Sequence, residues 1–349
     1  MKIVSLTPVA ASDREAVEAV APDIRLVDAG GWFDGEFVDT WPPATVSRYV
    51  GGAGCGSRDE RDALLADAEV VICGFPFPRD LHARAPRLRW LHQRPAGASN
   101  LRAGDIWGRD VPVTTSRGHG EVLAIAEYAI SGFSYFAKGF DQAERDRREG
   151  VFDFRRYRIT SLAGKTLCII GAGGIGRAVG RLGSALGMQV IGTRRSAGTA
   201  DDTLAADGFE TIGGPETLPD QLARADFVAV CCQWTPETTH LLDASAFDAM
   251  RPGAVIANVA RGEIIDESAL LNALDSGHLR GAVLDVFVGE FDGPPPPALW
   301  RHPNVLLTPH TSNKTDYSRR GDMALFVDNL QRLRAGQALR YQIDWETGY

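Results

Sequence analysis

A chain of 349 residues is longer than one ordinary core organises, so about two domains is the starting expectation. Hydrophobic content of 44% beside 23% charged residues is that of a globular protein, and a net charge of −8 argues against nucleic acid or an anionic membrane as the main partner. No apolar run approaches the roughly 20 residues that span a bilayer. The opening MKIVSLTPVAASD lacks the apolar core of a signal peptide. Cys55, Cys73, Cys168, Cys231 and Cys232 have neither metal-ligand nor redox spacing. They read as buried thiols in a reducing compartment, so a cytoplasmic protein without a metal site is expected.

Residues 1–117 alternate short apolar runs with helical patterns. Strands are expected at Lys2–Leu6, Ile24–Val27, Val70–Cys73, Leu88–His92 and Val111–Thr114. Helices are expected at Asp13–Val20, with Ser12 as N-cap, and at Arg58–Ala66. Such a βα repeat implies a parallel sheet. Gly30–Pro43 interrupts it with Trp32, Phe33, Phe37 and Trp41. It reads either as a lid over a site or as an apolar surface loop or partner contact. From His119 to about Arg148 the apolar spacing predicts one long connecting helix. A second domain opens near Ser161, with strands at Gln189–Gly192, Phe227–Cys232, Ala254–Asn258, Ala282–Val286 and Val305–Thr308. Its helices fall near Leu218–Ala223, Ala244–Met250 and Glu267–Ser276, and residues 293–297 (GPPPP) read as a stiff linker. A final helical pattern between Thr311 and Ala335 has no sheet of its own and is expected to return to the first domain.

The most informative stretch is Leu167–Gly187. Its apolar run Leu167–Ile170 reads as a buried parallel strand, and Gly171-Ala172-Gly173-Gly174-Ile175-Gly176 follows at once, before a helical pattern. Strand, glycine turn and helix in that order suit a dinucleotide. Gly171 permits the tight turn, Gly173 lets the backbone approach a pyrophosphate, and Gly176 lets helix and strand pack closely. Gly174 and Ile175 stand at the helix N-terminus, whose N–H groups face the phosphates. After the second strand, where an NAD site places an acidic residue, stand Arg194, Arg195 and Ser196, and no Asp or Glu occurs before Asp201. Two guanidinium groups there suit a 2′-phosphate, so NADP(H) is expected in preference to NAD(H).

Arg261, Glu290 and His310 each follow a later predicted strand, at the edge where an open α/β sheet places ligands. An Arg can hold a carboxylate in a fork and polarise a neighbouring carbonyl. A His can exchange a proton near neutral pH, with a carboxylate on its other nitrogen fixing the tautomer.

Through GKTLCIIGAGGIGR, TPETTHLLD, MRPGAVIANVARGEIIDESALLNAL, GAVLDVF and LWRHPNVLLTPH, the chain resembles the D-isomer-specific 2-hydroxyacid dehydrogenases over roughly residues 88–340, most strongly over 161–312. The resemblance implies two doubly wound α/β domains, a Rossmann NAD(P)-binding domain inserted into a flavodoxin-like substrate domain built from both chain ends. The divisions expected are 1–117 and 311–349 for the substrate domain and 118–310 for the nucleotide domain with its connecting helix. The resemblance further implies catalytic roles for Arg261 on the 2-oxoacid, His310 as acid/base and Glu290 as its partner, with Asp285 near the nicotinamide carboxamide and Thr235 at the cofactor. WLHQRPAGASNL looks like the substrate loop, in which Ala96, Gly97 and Ala98 offer N–H groups to a carboxylate and Pro95 offers none. Arg94 reads as solvent-facing or as reaching a second anionic group. Glu127 matches a structural family position. A homodimer about the nucleotide domain and connecting helix is also implied.

Gln233-Trp234-Thr235 departs from the family's usual Pro-Leu-Thr, and Phe291 stands where a Pro usually follows Glu290. The expected activity is NADPH-dependent reduction of a small 2-oxoacid of the glyoxylate or hydroxypyruvate kind to the D-2-hydroxyacid, in an interdomain cleft. A nucleotide-sensing binding protein and a phosphite-type oxidant are the alternatives.

Overall fold

The computed structural model describes residues 1–195, 207–316 and 321–348. The chain divides into two compact units. Met1–Gly120, Phe291–Gly293 and Ser318–Tyr349 form one; Glu121–Glu290 and Pro294–Tyr317 form the other. The structure thus divides the chain a few residues later than the sequence suggests on both sides, and sends residues 291–293 back to the first unit.

The first unit carries a parallel sheet of β1 (Lys2–Ser5), β2 (Arg25–Asp28), β3 (Val70–Cys73), β4 (Trp90–Gln93) and β5 (Val113–Thr115), in the order β2-β1-β3-β4-β5. This is a doubly wound order, with its reversal between β1 and β3. Ser57 opens the helix Arg58–Ala66 with a full capping box to Glu60. The first helix runs Ala11–Glu18 with Ala10 as its N-cap, so Ser12 lies inside the first turn and not at the cap.

The aromatic stretch is largely core, with Trp32 alone of its four large rings left exposed. Phe33, Phe37 and Trp41 are buried around the helix Asp34–Thr40, and the Trp41 indole N–H donates to the Phe77 carbonyl at 2.9 Å. Tyr49 and Trp41 each set an edge against the Phe75 ring, and Phe291 packs on that ring at 4.8 Å. Thr45 donates its hydroxyl to the Phe291 carbonyl at 2.7 Å, so the residue found where relatives usually carry Pro is anchored in the first unit. Beneath this cluster Glu36, almost fully buried, takes ion pairs from Arg84 at 2.6 Å and Arg61 at 3.2 Å.

The C-terminal helix Gly321–Arg334 covers the other face of this sheet, burying Met323, Phe326 and Leu330 against Ile3, Val17 and Trp90. Phe326 stacks on Trp90 at 4.7 Å. The tail beyond it adds to the sheet edge, where Ile343 N–H donates to Val113 O at 2.7 Å.

The second unit holds β6 (Thr166–Ile170), β7 (Gln189–Thr193), β8 (Phe209–Gly213), β9 (Phe227–Val230), β10 (Ala254–Asn258), β11 (Leu279–Leu284) and β12 (Val305–Leu307). All pair in parallel, in the order β12-β11-β10-β9-β6-β7-β8. β6, β9 and β10 are buried along their whole length, the condition their unbroken apolar runs anticipate.

The expected long helix is two, Val122–Ala137 and Phe140–Glu149, because Gly139 between them adopts φ 70°. β8 has no counterpart in the sequence reading: it lies at the sheet edge with Glu210 and Thr211 exposed, so no apolar run announces it. β11 begins three residues earlier than the apolar pattern suggests. Arg280 hides its start, yet pairs with Asp141 at 2.7 Å from inside the sheet. Among the described residues no helix is long and apolar enough to cross a membrane.

Candidate active site

Because every strand of the second unit runs the same way, the loops after them gather on one edge of its sheet. The order reverses at β6, whose neighbours are β7 and β9. A crevice at such a reversal is where open α/β sheets take ligands. Gly171 leaves β6 with φ 94°, and a Cβ there would lie 2.6 Å from Cys232 at the end of β9. A Cβ on Gly176 would collide with the Gly171 carbonyl oxygen. Gly173 caps the helix Gly174–Ala185 and its missing side chain faces open space, with nothing within 4 Å. A bare backbone at the positive end of a helix, with open space before it, fits a dinucleotide pyrophosphate.

On one side, β7 leads to Arg194 and Arg195; Arg194 N–H is fixed on the Gly213 carbonyl at 2.9 Å. Ser196 lies outside the described residues. On the other side, Thr235 is buried in a reciprocal cap with Thr238 after β9. Trp234 packs its ring on the core and donates its indole N–H to Thr239 at 2.9 Å. Burial pushes the Cys232 thiol up to about 12, and the Cys231 thiol is pushed up too. Neither offers a thiolate near neutral pH. Cys73 and Cys168 are buried as expected, but Cys55 is exposed.

Arg261, Glu290 and His310 follow β10, β11 and β12, three adjacent strands, and all stand on the second unit. Asn258 ends β10 and holds the Arg261 turn from both sides. Its amide donates to the Arg261 carbonyl at 2.8 Å and its oxygen accepts from Ala260 N–H at 3.0 Å. Gly262 then lets this turn press on the backbone at Phe287, where a Cβ would collide, so the loops of Arg261 and Glu290 are packed together. Glu290 is 4% exposed, and both its carboxylate oxygens lie 3.0 Å from Nδ1 of His310. An ionised carboxylate only accepts, so Nδ1 carries the proton and Nε2 is the ring nitrogen left for exchange.

Two further carboxyls surround this pair. Burial holds Glu263 above the usual carboxylate range, with Arg261 pulling it down and Glu290 pushing it up. Burial raises Glu267 also, opposed by the Val288 N–H that it accepts. Asp285, 1% exposed, accepts from Thr308 Oγ1 at 2.6 Å, Thr311 N–H at 2.7 Å and Ser312 N–H at 2.9 Å. Among the described residues no group of three or more His, Cys, Asp or Glu side chains is placed to hold a metal ion.

Residues 132–312 match the family described as D-isomer specific 2-hydroxyacid dehydrogenase, NAD binding domain. The chain belongs to the D-isomer-specific 2-hydroxyacid dehydrogenases. It is 32% identical to a D-3-phosphoglycerate dehydrogenase of Mycobacterium tuberculosis over 79% of this chain and 52% of the relative. It is 30% identical to a glyoxylate reductase of Korarchaeum cryptofilum over 78% of this chain and 80% of the relative. Its fold is similar to that of a D-isomer specific 2-hydroxyacid dehydrogenase of Xanthobacter autotrophicus solved with NADPH and MES, at 27% identity, TM-score 0.76 and coverage of 100% and 99% of the two chains. The chain spans about half the length of the phosphoglycerate dehydrogenases it matches.

In the first unit, the segment Ala96–Ala98 follows β4. Gln93 holds it, donating its amide N–H to the Gly97 carbonyl and, at 2.9 Å, to Asn100 Oδ1. Arg94, with a third of its side chain exposed, pairs with Asp322 at 2.7 Å and reaches Pro8 O at 3.3 Å. Glu127 is exposed on its helix. Asn258 and Tyr128, the latter discussed below, escaped the sequence reading. Asn258 ends an apolar run just before Arg261, a signal that a polar residue closing a buried strand can carry.

Proposed function

We propose that this chain reduces a small 2-oxoacid of the glyoxylate or hydroxypyruvate class to the D-2-hydroxyacid with NADPH. The pairing of His310 with the buried Glu290 is the observation that carries this reading. Arg261 would fork the substrate carboxylate and polarise the adjacent carbonyl, with the Ala96, Gly97 and Ala98 amides as further carboxylate donors. Protonated His310 would give the Nε2 proton to the carbonyl oxygen as it becomes an alkoxide. Gly171–Gly176 would cradle the pyrophosphate and Arg194 and Arg195 the 2′-phosphate, with Thr235 and Asp285 toward the nicotinamide end. NADPH when bound would supply the hydride that the carbonyl carbon receives.

In this reading the unit Met1–Gly120 with its returning segments is the substrate domain and Glu121–Glu290 with Pro294–Tyr317 the nucleotide domain. NADPH bound to the Xanthobacter relative supports the cofactor choice, as do Arg194 and Arg195 directly after β7, where no Asp or Glu occurs before Asp201. The protein would act as a homodimer in the cytoplasm; Phe152 at 106% and Phe154 at 86% exposure, next to the connecting helices, support a partner copy there. The test is a panel of small 2-oxoacids with NADPH, followed by loss of the reduced-nicotinamide absorbance. Steady oxidation with glyoxylate or hydroxypyruvate is expected. No oxidation with any 2-oxoacid, while NADPH still binds, would overturn it.

A further inference from the structure

His310 occupies the left-handed region, with φ 52°. A side chain other than Gly, Asn or Asp holds that conformation only where its surroundings impose it. The imposing groups are on the adjacent strand. His310 N–H donates to the Asp285 carbonyl at 2.9 Å, while the Asp285 carboxylate takes the N–H groups of the next two residues, Thr311 and Ser312.

Thr308 completes the grip and brings in a third element. Its single hydroxyl proton goes to Asp285 Oδ1 at 2.6 Å, an oxygen that also accepts the Thr311 N–H. Thr308 Oγ1 then accepts from the Tyr128 hydroxyl, 2.7 Å away, whose one proton is shared with the Leu284 carbonyl at the longer distance of 3.2 Å. Burial raises the Tyr128 phenol above its ordinary range, so it stays a donor. The donors converge on Asp285: Tyr128 through Thr308 from one side, and the N–H groups of His310, Thr311 and Ser312 from the other. Along the first branch each bond polarises the next.

We infer that the Tyr128 hydroxyl is a positioning group for His310, setting through Thr308 and Asp285 the backbone that aims the imidazole. This role rests on the proposed reduction, in which His310 is the proton donor. It gives the connecting helix Val122–Ala137 a part in the chemistry beyond its packing.

The test uses the full chain carrying Tyr128→Phe, Thr308→Val, Thr308→Ser, or Tyr128→Phe with Thr308→Val. Tyr128→Phe is expected to lower kcat for the 2-oxoacid about 5- to 10-fold, the worth of one buried hydrogen bond, with KM and NADPH affinity within about twofold. Thr308→Val should cost as much or more, the double variant little more than Thr308→Val alone, and Thr308→Ser should restore activity. The ring nitrogen resonances of His310, assigned by their loss in His310→Asn, should move in Tyr128→Phe; this readout needs no turnover. A wild type inactive on every 2-oxoacid, whose His310 resonances still move, would remove the reductase reading and leave the positioning role. Tyr128→Phe with unchanged kcat and unmoved resonances overturns the inference. A fall in thermal midpoint as its sole effect overturns it equally, since that is packing.

Discussion

His310 Nδ1 stands equidistant, at 3.0 Å, from both carboxylate oxygens of Glu290, one of the most deeply buried acids of the second unit. The pair fixes one tautomer and leaves Nε2 as the exchange nitrogen. Replacing Glu290 with Ala should therefore lower kcat about 10²-fold with little change in NADPH affinity. Steady-state rates and a fluorescence titration of NADPH separate the two. A variant that lost cofactor affinity and kept kcat would assign Glu290 to binding instead.

Arg194 and Arg195 follow β7, and in the proposed complex they would meet the ribose end of the dinucleotide. Charge-assisted hydrogen bonds of about 1.5–3 kcal/mol correspond to roughly 10- to 100-fold in affinity. Arg194→Ala with Arg195→Ala should raise the KM for NADPH by that range and leave the KM for NADH nearly unchanged. Equal loss with both cofactors would mean the guanidinium groups do not read the 2′-phosphate.

Phe326 belongs to a helix some 230 residues downstream of Trp90 in sequence, yet is fully buried against its ring. Phe326→Ala should cost about 3–5 kcal/mol, visible as a lower denaturant midpoint. A loss under about 1 kcal/mol would show that the C-terminal helix is not part of the first unit's core.

His92 is fully buried, with Nδ1 2.9 Å from Thr114 Oγ1 and Nε2 3.2 Å from Ser116 Oγ. Burial pushes its pKa from 6.5 down to about 3; Asp322 opposes and Arg94 adds to the fall. The unfolded chain takes up a proton that the folded one refuses, so stability is complete above the ordinary value and drains away as pH falls toward about 3. Denaturant midpoints of wild type and His92→Gln, measured from neutral to acid pH, should converge as the pH drops. Parallel curves would mean that His92 does not govern this loss.

The fold was largely legible because buried parallel strands are unbroken apolar runs. Val70–Cys73 and Ala254–Asn258 have the same bounds in sequence and structure. Legibility fails where polar or small residues enter the sheet. β8 shows two exposed side chains, and Arg280 hides the start of β11 because its charge is met by Asp141, 139 residues earlier in the helix Phe140–Glu149. The same blindness affected the aromatic stretch. Nothing in Phe33, Phe37 and Trp41 says which elements will cover them, and Phe75 and Phe77 lie more than 30 residues on. Arg261, Glu290 and His310 stood out in the sequence as reactive groups in the loops after three strands, and those strands lie side by side in the sheet. Tyr128 did not stand out, since its partner Thr308 is 180 residues away and its spacing is that of a helix facing the core.

The most direct measurement is single-turnover oxidation of NADPH by the preferred 2-oxoacid with His310→Asn. Asn tolerates the left-handed backbone at this position and cannot donate a proton as an imidazolium does. With NADPH affinity preserved, turnover should fall about 10²- to 10⁴-fold. Turnover equal to wild type would contradict the assignment of His310 as the acid.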